Sequence, residues 1–123
     1  MVTFIPTFHS VRALVEKGSG HKNPLVRSAT ARLLTCIAVL AGPDVILGPY
    51  GNKDTRRRML ATMAQLLADG NVNTRQFAKQ LFRTLMNHED FDTLLNQEVS
   101  RPMIARIEKL MCMLRHQEEN EMK

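Results

Sequence analysis

The chain has 123 residues, 44% hydrophobic and 24% charged, with six glycines and five prolines, which is too apolar for a disordered chain and too short for two independent cores. Aromatics make up only 5% with no Trp, while eight Met join many Leu and Ala, so helices are favoured over a β-sandwich. The net charge of +5 is unevenly placed: residues 1–60 hold nine basic and three acidic side chains, and residues 61–123 hold eight and nine. A basic first half can attract nucleic acid, an acidic lipid surface or an acidic protein.

The first predicted helix runs from Pro6 to Lys17 and is ended by Gly18-Ser19-Gly20. Asn23 then caps a second helix with Pro24 at its first position, where a missing amide hydrogen costs nothing. Val26, Ala29, Leu33, Ile37 and Leu40 recur at spacings of three and four and are expected to form one buried stripe. Gly42-Pro43 stops this helix, and a short apolar turn, Val45-Ile46-Leu47, precedes the turn-rich segment that holds Tyr50. The apolar run Leu33–Ala41, broken by Thr35, is too short to span a bilayer. The first ten residues lack a basic region before their apolar stretch, so no secretory signal is readable and no membrane is expected as a partner.

A third helix opens at Asp54 or Thr55, buries Met59, Met63, Leu66 and Leu67, and ends at Asp69-Gly70. Asn71 or Asn73 starts the next, with Ala78, Leu81, Phe82 and Leu85 inward, and a short helix over residues 89–96 contributes Phe91, Leu94 and Leu95. Ser100 caps a final helix with the stripe Met103, Ile107, Leu110, Met111 and Leu114. It has no following partner, so exposed apolar surface and weak self-association are expected there. One domain, residues 1–117, is followed by a polar tail, 118–123, expected to fray.

The chain repeats. Residues 21–38 align without a gap on residues 69–86: Asn23 falls on Asn71, Arg27 on Arg75, Leu33 on Leu81, Leu34 on Phe82 and Ile37 on Leu85, an offset of 48. That period suits paired helices that cannot bury their apolar faces alone. The expected fold is therefore all-α, an α-solenoid of antiparallel helix pairs of the HEAT-like or armadillo type.

The segments HKNPLVRSATARLL, from His21, and DGNVNTRQFAKQLF, from Asp69, resemble HEAT repeats, and within that class the loops of TOG domains. Continued through LMNHEDFDTLL, the string is most similar to the crescerin family, TOG-array regulators of axonemal microtubules. The resemblance covers about residues 4–114. It implies a microtubule-associated module that binds tubulin or another acidic protein, in the cytoplasm and on the cytoskeleton, with a cilium or axoneme as the implied setting. It also implies an Asp69–Arg75 pair that is missing from the first unit, where His21 stands in place of the acid. The chain would be about half of a TOG domain.

In such arrays Arg27 and Arg75 hold neighbouring repeats together. The loops between paired helices emerge on one edge, so Lys22, Asn23, Asn71 and Asn73 are the expected protein-binding residues. The three asparagines also read as caps and loop formers, whereas Lys22 has no cap or core role. Arg56, Arg57 and Arg58 point about 100° apart on a helix; they read as a solvated face on the opposite edge, or as the contact of a generic helical-repeat scaffold that is not specific for tubulin. Nucleic acid is not an expected partner, because no exposed aromatics interleave with the basic residues.

No catalysis, metal or cofactor is expected. Gly18-Ser19-Gly20 begins a dinucleotide fingerprint, but Asn23 stands where the third glycine belongs. Gly42 to Gly48 is one residue too long for a phosphate-binding loop. His9, His21, His88 and His116 fall on separate elements. Cys36 and Cys112 read as small core residues in a reducing compartment.

Overall fold

The structure, a computed structural model, describes residues 4–48 and 52–121. They form seven helices: α1 Phe4–Lys17, α2 Pro24–Ala41, α3 Pro43–Leu47, α4 Lys53–Leu67, α5 Val72–Leu85, α6 Phe91–Glu98 and α7 Arg101–Glu121, with no strand among the described residues. The repeat extends to the elements themselves. The starts of α2 and α5 (Pro24, Val72), of α3 and α6 (Pro43, Phe91) and of α4 and α7 (Lys53, Arg101) are each 48 residues apart. Tyr50 lies outside the described residues.

Local chemistry sets the boundaries. The Asn23 side chain accepts from Leu25 N ahead of Pro24; Asn52 accepts from Thr55 N, so α4 begins at Lys53, slightly before the expected start; and Asn71, not Asn73, caps α5. Gly42 closes α2 and opens α3 at φ +90° and ψ 150°, a conformation that only glycine adopts without strain. α7 continues through the segment read as a polar tail, as far as Glu121.

α4 lies at the centre, against α1, α5, α6 and α7, and the most extensive helix contact is α2 on α5. Met59, Leu60, Met63, Leu66, Leu81, Phe82 and Leu85 are fully buried. The Phe82 and Phe91 rings meet edge to face with centroids 5.4 Å apart, a favoured aromatic geometry. The stripe of α7 packs inward through Ile107, Met111 and Leu114, against the preceding α4 and α5, while Met113 stays exposed.

Of the expected stripe of α2 only Ile37 packs against the core, and it is half-buried. The buried residues of this helix are Thr30, Ala31, Leu34, Thr35 and Ala38, while Leu33 is 44% exposed and Leu40 87%. Small residues win the inner face because neighbouring backbones come close there. A Cβ on Gly18, at the end of α1, would stand 1.9 Å from Thr30 Oγ1. The two buried threonines stay satisfied: Thr30 Oγ1 donates to Val26 O at 2.8 Å, and Thr35 Oγ1 lies 2.8 Å from Ala31 O and 3.0 Å from Phe77 O across the helix contact. Cys36 and Cys112 are both exposed, not core residues: Cys36 shares the outward side of α2 with Leu33, and Cys112 the outward side of α7 with Met113. With apolar residues on both sides, α2 is long and apolar enough to cross a membrane by length and composition. The run from Leu33 alone understated it, since the helix reaches back to Pro24.

Candidate functional site

The two loops that join paired helices lie side by side, and one arginine ties them together. In the first loop, Gly18 N donates to Leu14 O and His21 N to Gly18 O, while the Ser19 hydroxyl donates to Val15 O at 2.8 Å. His21 Nδ1 accepts from Asn23 N at 3.0 Å. This places the His21 and Lys22 carbonyls where Arg27 Nη1 donates to both, at 2.8 and 3.1 Å. The rest of the guanidinium crosses to the second loop: Nε donates to Asp69 Oδ2 at 2.8 Å and Nη2 to Asp69 Oδ1 at 3.3 Å. This two-pronged, charge-assisted contact fixes both distance and orientation between the loops.

The second loop repeats the first with one change. Arg75 Nη1 donates to Asp69 O at 2.8 Å, which is the Arg27–His21 contact displaced by one period. The Asp69 carboxylate, however, belongs to Arg27 of the preceding pair and not to Arg75, so the expected Asp69–Arg75 ion pair is a backbone contact. Asp69 Oδ1 also accepts from Asn71 N at 2.9 Å. Burial pushes the Asp69 carboxyl up, but the Arg27 hydrogen bonds, the Asn71 amide and the Arg75 charge outweigh it, and the group is held below the ordinary aspartate value. Arg27 thus links neighbouring pairs, and the loops form one edge with fixed spacing.

The four residues expected to bind a partner sit on this edge in different roles. Lys22 is exposed, and among the described residues its carbonyl alone is engaged, by Arg27. Asn23 is exposed but uses its side-chain oxygen to cap α2. Asn71 is half-buried, and its oxygen accepts from both Thr74 N and Thr74 Oγ1. Asn73 is exposed on the first turn of α5. Lys22 and Asn73 are therefore the two whose side chains are left for a partner by the contacts above. Sequence reasoning missed the Arg27–Asp69 crossing, which spans 42 residues and has no local spacing to betray it.

The arginine triplet lies at the other end of α4. Arg57 and Arg58 donate to Asp54 at 2.8 Å each, and Arg58 also reaches Glu16 of α1 at 3.4 Å. Those hydrogen bonds hold the Asp54 carboxyl below its usual range. Much of this charge is already paired, and it braces α1 against α4. No group of three or more His, Cys, Asp or Glu residues that could hold a metal ion occurs among the described residues.

The chain is 27% identical over 99 residues to TOG array regulator of axonemal microtubules protein 1 of the mouse (Mus musculus), a match that covers 80% of this chain and 6% of that relative's length. No family model matches the chain, and no solved structure does. A 99-residue segment of this chain is thus similar to a small part of a much longer TOG-array protein.

Proposed function

We propose that the chain is a non-catalytic TOG-type module, a HEAT-like α-solenoid of stacked helix pairs, that binds tubulin through its loop edge. The observation that carries this reading is the Arg27–Asp69 crossing, which locks successive inter-helix loops into one row with Lys22 at its rim. The 48-residue spacing of successive elements supports stacking of like pairs. The mouse relative's name supports microtubules as the target and a cytoskeletal, axonemal setting. The contact is electrostatic in part, with the basic first half steering an acidic partner and orienting it on the loops.

Titration of the chain with tubulin at low and high salt tests this. Binding should weaken as salt rises, because screening shortens the reach of such charges, and Lys22→Glu should weaken it further. Salt-independent binding, or binding indifferent to Lys22→Glu, would move the contact elsewhere on the surface. No binding at either salt concentration would remove tubulin as the target.

A further inference from the structure

The exposed residues of α2 between Leu25 and Leu40 all fall on one side. They are Leu25, Ala29, Arg32, Leu33, Cys36, Val39 and Leu40, and at about 100° per residue they occupy roughly a third of the helix circumference. All but Arg32 are apolar, and Leu25 is 74% and Val39 60% exposed, so the strip lies open along about 22 Å of helix. The exposed residues of α5 differ: after Val72 they are Asn73, Gln76 and Gln80. Those of α7 mix both signs of charge, with Arg106, Glu108 and Lys109 among them. Apolar surface gathered into one exposed patch marks an interaction site.

The charge around the strip specifies what it meets. Residues 17–43 hold four basic side chains, Lys17, Lys22, Arg27 and Arg32, and no Asp or Glu. Arg27 is engaged by Asp69, whereas Lys17, Lys22 and Arg32 are exposed, the two lysines ahead of the strip and the arginine within it. We propose that this side of α2 rests on a lipid bilayer with anionic headgroups, with Leu25, Leu33, Val39 and Leu40 entering the boundary between headgroups and acyl chains. Arg32 carries its charge on a long aliphatic stem, which lets it lie among these residues and still reach the headgroups. Apolar burial joined to attraction between basic side chains and anionic lipid is how peripheral helices hold to membranes.

The helix lies in the plane of the membrane and does not cross it. On its other side Ala31, Leu34 and Ala38 are fully buried in the core, and Thr35 is tied to Phe77 of α5. A crossing would break all of these contacts. The lack of a secretory signal argued against a membrane partner, but a helix that rests on the surface needs none. A protein surface fits the strip less well. A strip one helix wide falls short of the ~800 Å² per partner of a standard interface, whereas a fluid bilayer closes around a single convex helix and binds it reversibly. Antiparallel pairing of two copies about the middle of the strip would also set the two Arg32 side chains against each other. The proposal rests on the exposure and charge of α2 and is independent of tubulin.

The two exposed cysteines provide the readout, since Cys36 lies within the strip and Cys112 on α7. An environment-sensitive fluorophore is placed on Cys36 in a Cys112→Ser chain, and on Cys112 in a Cys36→Ser chain. Vesicles of phosphatidylcholine and phosphatidylserine should shift the Cys36 emission to the blue, leave the Cys112 emission in place, and carry the chain upward in flotation. Vesicles of phosphatidylcholine alone should bind at least about tenfold more weakly, because the basic side chains lose their partner. Leu33→Gln/Leu40→Gln should keep the melting temperature and also bind at least about tenfold more weakly. Arg32→Glu should weaken binding about tenfold at low salt and less at high salt.

Equal binding to the two kinds of vesicle, or undiminished binding by Arg32→Glu, would overturn the anionic partner. Equal binding by the leucine variant, or an equal shift of both labels, would overturn the strip as the contact. A large loss of melting temperature in the leucine variant would mean that the strip is already covered, and would overturn the proposal too. A Cys36 shift that grows with protein concentration in the absence of vesicles would make a second copy the occupant. One produced by tubulin and not by vesicles would give the strip to an acidic protein. A chain that fails to bind tubulin leaves the vesicle outcomes unaffected.

Discussion

The two long pair-forming helices, α2 and α5, follow one plan and meet opposite fates. Both are capped by an asparagine, Asn23 and Asn71, and both carry an arginine that clasps the carbonyl of the residue six positions earlier. α5 lies against α2, α4 and α7 and buries Ala78, Leu81, Phe82 and Leu85, with Val72 exposed at its start. α2 lies against α1, α3 and α5 and still leaves Leu25, Leu33, Val39 and Leu40 exposed. The lesson is that a repeated pattern encodes the positions for contact, while neighbours decide which of those positions are buried. Identical spacing can therefore mark a core on one helix and an exposed side on the next.

Truncating the equivalent leucines should separate the two helices most sharply. Leu81→Ala removes a fully buried side chain, and such changes typically cost about 2–5 kcal/mol. Leu33→Ala acts on a side chain that is 44% exposed, so about 0.5 kcal/mol or less is expected, as for most surface substitutions. Urea unfolding of both variants with unchanged slopes measures the contrast. Similar losses at the two positions would mean that the open face of α2 is already covered in solution.

This contrast also explains what was legible in the sequence. The inward residues of α5, Ala78, Leu81, Phe82 and Leu85, could be read from spacing because the remainder of that helix is polar apart from Val72 and Phe77. On α2 spacing found a real stripe but could not tell which of two apolar sides faces inward. Ala31, Thr30 and Ala38 offer little hydrophobicity to a sequence pattern, yet they permit the close approach that α1 and α5 require. The cysteines failed for a related reason: their usual preference for burial was overridden by their place on the outward sides of α2 and α7. Recurrence of Arg27 and Arg75 announced a structural role. The choice of Asp69 as partner for Arg27 needed three-dimensional packing, because Asp69 sits much nearer to Arg75 along the chain.

The second-largest contrast is between those arginines. Both donate to a loop carbonyl, but Arg27 alone grips a carboxylate in the described contacts. Arg27→Ala should cost about 1.5–3 kcal/mol, the range for hydrogen bonds to charged groups, and Arg75→Ala about 0.5–1.5 kcal/mol for a backbone contact. The same clasp predicts a pH effect. The folded value of Asp69 lies below the unfolded one, so between them the unfolded chain binds the extra proton and stability rises with pH. The contribution is complete above the ordinary aspartate value of 3.8 and is lost as pH falls through the lowered folded value. Asp69→Asn should flatten this part of the acid limb. An acid limb unchanged by Asp69→Asn, or a larger loss from Arg75→Ala than from Arg27→Ala, would show that the clasp has been assigned to the wrong arginine.

Backbone geometry offers a smaller contrast at the joints that follow the two helices. Gly42 holds φ +90° and ψ 150°, whereas Asp90, one period later, holds φ −94° and ψ 9°. Gly42→Ala should therefore cost about 1–3 kcal/mol from backbone strain, although nothing lies within 4 Å of the added Cβ. Asp90→Ala, at an ordinary φ, should be nearly neutral. Thermal melts of the two variants test the pair, and equal melting temperatures would mean the first joint can relax to the geometry of the second.

The smallest stability effect should come from the residue with the clearest functional assignment. The Lys22 side chain is exposed and makes no hydrogen bond or ion pair among the described contacts; its carbonyl, which Arg27 holds, survives any substitution that leaves the backbone in place. A surface charge of this kind is worth on the order of 0–1 kcal/mol, so Lys22→Glu should leave the melting temperature nearly unchanged. Its expected effect lies in binding, where reversing a charge at the rim of the loop row slows encounter with an acidic partner and changes the salt dependence in a predictable direction. The difference between the parent chain and the Lys22→Glu variant should be large at low salt and should shrink as ionic strength rises, because both act through the same screened field. Asn73→Asp, on the matching loop, should act in the same direction and more weakly, since it adds one negative charge where Lys22→Glu exchanges a positive for a negative. An effect of Lys22→Glu that persists undiminished at high salt would point to a short-range contact, and loss of stability equal to that of Arg27→Ala would place Lys22 within the clasp and not on its rim.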